Sequence, residues 1–216
     1  MKKHSIALLL LLVLLTGCGA KTEEAPWQTA YRETGKYLQE QDTLSAGSVD
    51  GEWAVIGLSR AGLLSDETAQ SYEQTVEDYV KQAGSVRLHH AKSTENSRTI
   101  LGLTAAGYNA ANMAGVDLTA GLTDMAYLRA QGTNGPIWAL IALDCHGYDI
   151  PQCADGEEQT TREGLVAEIL SYQCSDGGWA LMGDESDVDM TAMALTSLAP
   201  YQEETDIKAA VDAALP

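Results

Sequence analysis

Phenylalanine is absent from this 216-residue chain, aromatic residues make up only 6% of it, and basic residues are scarce, with 13 Lys and Arg against 31 Asp and Glu. Without Phe, any aromatic-lined cavity has to be built from 4 Trp and 9 Tyr. The formal charge of −18 repels phosphate backbones, which argues against nucleic acid as a partner and against docking a protein face onto anionic lipid headgroups. No stretch alternates apolar and polar residues in the manner of a strand. Pro26, Pro136, Pro151 and Pro200 all fall at the edges of helix-periodic segments, so none of them interrupts a helix. Long apolar runs are missing too, apart from Ile6 to Leu15, which is too short for a comfortable membrane span.

That run belongs to a leader pattern. Lys2 and Lys3 precede it, and it closes in "LTGC", where small residues stand before Cys18. The pattern resembles the bacterial lipoprotein processing site. The resemblance implies a signal peptide over 1–17, a lipid on Cys18, a linker over 18–26, and export to the outer face of the cytoplasmic membrane. The lysines leave with the leader, so membrane attachment then rests on the lipid.

Beyond Cys18 the chain has Cys145, Cys153 and Cys174, an odd number for an exported protein. Cys145 and Cys153 bracket "HGYDIPQ" and form a disulfide candidate whose geometry sequence does not settle. A zinc set of Cys145, His146 and Cys153 lacks a fourth ligand at a useful spacing, and no motif calls for a cofactor or a metal.

Self-similarity is the strongest internal signal. "WAVIGLSRAG" from Trp53, "RTILGLTAAG" from Arg98, "WALIALDCHG" from Trp138 and "TAMALTSLAP" from Thr191 align without gaps. Their starts lie roughly 40 to 53 residues apart, the length of a helix pair. Gly62, Gly107 and Gly147 end three of the windows, where a left-handed residue stops a helix and the apolar residue after it (Leu63, Tyr108, Tyr148) folds back. Pro200 stops the fourth by withholding a donor. Small residues such as Gly57, Gly102, Ala142 and Ala194 predict buried, closely approached helices. Between the windows, Ser65 to Gln82, Leu118 to Gln131 and a helix opened by Thr160 and Glu163 read as half-exposed amphipathic helices, as does Trp27 to Gln39 before the first. The fold class is therefore all-α, with an inner set of buried helices wrapped by an outer amphipathic set over 27–216.

The stretch from Gln173 to Tyr201 adds a motif. "QCSDGGW" is similar to the Q-x-x-x-G-x-W signature of the prenyltransferase and squalene cyclase repeat family, matched by Gln173, Gly177 and Trp179; "QGTNGPI" from Gln131 is a degraded copy. "DVDMTA" resembles the D-V-D-D-T-A of proton-initiated triterpene cyclases except at Met190. The resemblance implies an α/α toroid of six helical hairpins around a cavity. About four and a half pairs are countable here, so the array is incomplete at its C-terminal end. Ala209, Ala210, Val211 and Leu215 would then lie on an uncapped end open to self-association.

Two readings of the site follow. In the cyclase reading Asp189, with Asp187 beside it, is a general acid, and Trp53 and Trp138 help line the cavity. In the capping reading the two carboxylates serve the first turn of a helix, and Met190 and the missing Phe mark a lost activity. The residues favour the second: a non-catalytic, lipid-anchored module that binds a small molecule or an exported protein. Its candidate ligand contacts are Trp53, Trp138, Gln173 and Trp179. A D-x-C metal pair of the protein prenyltransferases is absent, since the third position is Asp189. Corrinoid binding after the manner of the transcobalamin toroid is the further alternative.

Overall fold

The computed structural model describes residues 25–41, 44–47 and 49–215. The leader, the Cys18 site and most of the proposed linker lie outside them. Among the described residues the chain is all-helical with no strand, and no helix is long and apolar enough to cross a membrane. The helices are α1 (Pro26–Gln39), α2 (Val49–Arg60), α3 (Asp66–Ala83), α4 (Ser93–Ala105), α5 (Met125–Arg129), α6 (Asn134–Asp144), α7 (Arg162–Ser171), α8 (Val188–Leu198) and α9 (Thr205–Ala214), with short 3-10 turns at Ala110–Asn112, Leu118–Leu122 and Ala199–Tyr201. The chain divides into two compact units, Met1–Tyr37 and Leu38–Pro216, so α1 runs across the division.

In the second unit the four repeated windows fall on α2, α4, α6 and α8. Each helix begins three to five residues ahead of its window. The first three stop in the same way: Gly62, Gly107 and Gly147 take positive φ of 67°, 88° and 64°, and Leu63, Tyr108 and Tyr148 return their N–H groups to Leu58, Leu103 and Leu143 at 2.9, 2.9 and 2.8 Å. These bonds, with those from the glycine N–H groups to Ser59, Thr104 and Asp144, satisfy carbonyls that the helix end leaves open. α8 instead tightens into the 3-10 turn at Pro200.

These four helices adjoin in chain order, α2 to α4 to α6 to α8. They also run parallel. Toward their starts Arg98 Nε meets Glu52 Oε2 at 3.2 Å, and Trp53 and Trp138, each the fifth residue of its helix, meet with ring centroids 5.3 Å apart. At their ends Ser59 Oγ donates to Ala105 O at 2.6 Å, Cys145 Sγ reaches Thr104 Oγ1 at 3.6 Å, and Tyr201 Oη contacts Asp144 Oδ2 at 2.8 Å. Parallel neighbours need returning segments, which α3, the 3-10 turn with α5, and α7 supply.

Burial is deepest along the middle of the array: Ile100, Leu103, Ile137, Leu140, Ala142 and Leu143 are fully buried, as is Ala194 on α8. The helices are not buried all round, however. α2 leaves Trp53, Gly57 and Arg60 exposed, and α8 leaves Val188, Ala192 and Thr196 exposed, a stripe one residue in four on each helix. Gly57 is therefore exposed, and a Cβ there would stand 4.0 Å from Leu38 Cδ1. Gly102 fits the expectation instead, because a Cβ there would collide with the Tyr72 hydroxyl.

Two outer elements differ from the sequence reading. The helix expected over Leu118 to Gln131 is broken at Thr123 and Asp124. Asp124 accepts from Ala126 N at 3.1 Å as the cap of α5, while Met125 N and Thr123 O pair with Glu158 and Thr160 of a distant loop. The α7 cap is Thr161, accepting from Gly164 N at 2.9 Å, not Thr160, which is buried. At the far end, Ala209 and Leu215 are exposed and Val211 is half-buried. Ala210 is buried, so it does not belong to an open apolar edge.

Candidate functional site

The first candidate is the turn that leads into α8. Gly177, at φ 93°, makes the sharp turn, and a Cβ there would strike the Ala213 carbonyl of α9. Gln173 Nε2 donates to Gly177 O at 2.7 Å and to Ala210 O at 2.8 Å, tying the turn to α9. Trp179 is fully buried and donates its indole N–H to Ile169 O at 2.7 Å. The Q-x-x-x-G-x-W residues thus clamp one helical unit to the next. Gln173 and Trp179, expected as ligand contacts, are instead committed to backbone bonds and packing.

Asp187 is the N-cap of α8: its Oδ1 accepts from Met190 N at 2.7 Å, with the cap backbone extended. The side chain is exposed, as is that of Asp189 in the first turn. Other acids of the turn are bonded locally, Asp184 to Ser175 and Asp176 to Gly178 and Ser186. Both motif carboxylates are open to water, and neither is enclosed in an apolar site.

The second candidate is the tryptophan pair. Trp53 and Trp138, on the two helices that flank α4, meet edge to face with centroids 5.3 Å apart. Trp53 is 39% exposed and Trp138 half-buried. The structure therefore brings these two sequence candidates together, at the end of the array where the parallel helices begin.

Sequence reasoning missed the group beside them. Glu52 is completely buried. Its carboxylate accepts from Gly47 N at 2.6 Å and from Arg98 Nε at 3.2 Å, and Arg98 also holds Glu95 at 2.7 Å. Burial raises the Glu52 pKa, against the lowering by the Gly47 N–H and the Arg98 charge. The Tyr72 hydroxyl, buried against Gly102 and with its pKa pushed far up by burial and then by the Glu52 charge, has no hydrogen-bond partner among the described residues. A signal was available: Glu52 and Arg98 flank window starts. Their meeting across 46 positions was not readable from either window.

Cys145, Cys153 and Cys174 are all free thiols. Cys145 Sγ donates to Ala142 O at 3.1 Å and lies 3.6 Å from Thr104 Oγ1, while Cys153 Sγ lies 3.6 Å from Glu157 O. The Cys145–Cys153 bridge is not formed. Among the described residues no group of three His, Cys, Asp or Glu gathers to hold a metal. Three surface clefts, centred on Gln159 and Arg162, on Asp117 and His146, and on Leu170 and Tyr201, are lined by none of Trp53, Trp138, Asp187 or Asp189.

Comparison with protein-family models, curated proteins and solved structures gives no match for this chain.

Proposed function

We propose that the chain is a non-catalytic binding module, exported and lipid-anchored through Cys18, built from helical hairpins in the manner of an α/α toroid. Support for the architecture comes from the parallel, sequential packing of α2, α4, α6 and α8. Support for the loss of catalysis comes from one observation: Asp187 caps α8 and Asp189 stands beside it in water. Protonating an olefin takes an acid shielded from water and surrounded by rings that receive the cation. Trp53, which is exposed, and Trp138, which is half-buried, form the recognition surface in this reading, for a small molecule or an exported protein.

The mature chain incubated with squalene or a prenyl diphosphate should return them unchanged. Turnover that disappears in Asp189→Asn would replace this reading with the cyclase one. Binding is checked by thermal shift: an apolar ligand that raises the melting temperature should do so less in Trp138→Ala. Anchoring is checked by incorporation of labelled fatty acid, which Cys18→Ser should abolish.

A further inference from the structure

We propose that the cleft between α7 and α9 binds a small amphiphilic amine, a primary ammonium carried on a short aliphatic chain. α7 packs on α6 and α9 packs on α8. The two are tied together beyond the end of α7, where Gln173 donates to Ala210 O of α9 at 2.8 Å. Nearer their starts they enclose a cleft of about 260 Å³. Its floor is apolar, with Val166 and Ile207 buried and Leu170 half-buried. The Tyr201 hydroxyl on its wall is already engaged with the Asp144 carboxylate at 2.8 Å. The other polar side chains lining it are three carboxylates, Glu163 half-buried and Glu204 and Asp206 exposed at the rim. No basic residue lines it.

Acids at helix starts are ordinary, because the helix dipole favours them, and all three stand at the start of α7 or α9. Their lack of partners is what sets them apart. Among the described residues no ion pair or side-chain hydrogen bond holds Glu163, Glu204 or Asp206, whereas Glu157, Glu158 and Glu168 nearby in the chain are each paired with an arginine. The adjacent bases are spent elsewhere, Arg162 on Asp144 and the Leu143 and Tyr148 carbonyls, and Lys208 on Asp212. Burial, then Asp144 and to a smaller extent Glu163, push the Tyr201 pKa up to about 12, which fits a negative potential in the cleft. Charge and shape together choose the occupant. An ammonium brings three donors and a positive charge to the rim, while its aliphatic chain covers Val166, Leu170 and Ile207. A carboxylate ligand meets repulsion, and a diamine has to leave its second charge on the apolar floor. Among the described residues no three acids gather to hold a metal ion. The site is separate from Trp53 and Trp138 and stands or falls independently of the reading given to them.

The test follows the methyl resonances of Val166 and Ile207 by NMR in the mature chain carrying Cys18→Ser, which keeps the amphiphiles from partitioning into lipid. The probes are hexylamine, hexanol, hexamethylenediamine and hexanoate. Hexylamine should move both sets of methyls along a saturating curve, with a Kd on the order of millimolar for so small a ligand. It should bind about tenfold more tightly than hexanol or hexamethylenediamine, and hexanoate should leave the methyls unmoved. Glu163→Gln with Glu204→Gln should weaken hexylamine about tenfold and leave hexanol unchanged, and added salt should weaken hexylamine alone. Circular dichroism checks that the two rim substitutions leave the fold intact, and the comparison of probes on the unsubstituted cleft needs no variant. Equal affinity for hexylamine and hexanol overturns the inference. So do hexylamine shifts confined to residues outside the cleft, or calcium chloride moving the same methyls where the amine does not.

Discussion

The starts of α2 and α8 make opposite use of an acid. Glu52 in the first turns of α2 is sealed from water and bound by Arg98 and the Gly47 amide, whereas Asp189 in the first turn of α8 is exposed and Asp187 caps the helix. The motif resemblance points to the exposed pair, yet the perturbed carboxyl is the buried one. Helical neighbours explain the difference. α2 has α4 beside it and Tyr72 of α3 behind it, while α8 leaves Val188, Ala192 and Thr196 uncovered.

Breaking the buried start should give the largest effect. Glu52→Ala leaves Arg98 with only Glu95 and orphans the Gly47 amide, and should lower unfolding stability by about 3 kcal/mol in urea titration. The same residue carries a pH signature. Its folded-state pKa is raised, so its contribution is fully present below the ordinary value of 4.5 and is lost as pH rises through the folded value. Relative to wild type, Glu52→Gln should therefore gain stability as pH rises through that window; a relative loss would mean that attraction to Arg98 outweighs burial. Gly102→Ala should cost about 2 kcal/mol, because the new methyl forces the Tyr72 hydroxyl aside, and this should appear as a lower melting temperature.

The exposed start should respond less. Asp187→Ala removes one side-chain cap and should cost about 1 kcal/mol by the same urea titration. Asp189→Asn should change stability by less than about 0.5 kcal/mol. A larger loss there would give Asp189 a partner and bring the two helix starts closer in kind.

The parts legible in the sequence were those decided locally. The glycine stops at Gly62, Gly107 and Gly147 need only the residues around them, and so does the turn at Gly177. The parts missed were decided at a distance. Asp124 breaks an apolar helix because Glu158 and Thr160 meet it from another loop. Thr161 displaces Thr160 as the cap, accepting from Gly164 N, while Thr160 is drawn into the interior and its backbone N–H is bonded to Thr123 O.

Since α2, α4, α6 and α8 point the same way, their peptide dipoles add instead of cancelling. The acids Glu52, Glu95, Asp187 and Asp189 collect at the end where these helices begin, and Arg60 is the one basic side chain in the last turn of any of the four. Fixed negative charge is thus set against backbone partial positive charge at one pole, while carbonyls at the other are met by the Leu63, Tyr108 and Tyr148 N–H groups, by Ser59 and by Arg162. Added salt should blunt that polarity and reach the exposed α8 acids well before the enclosed Glu52.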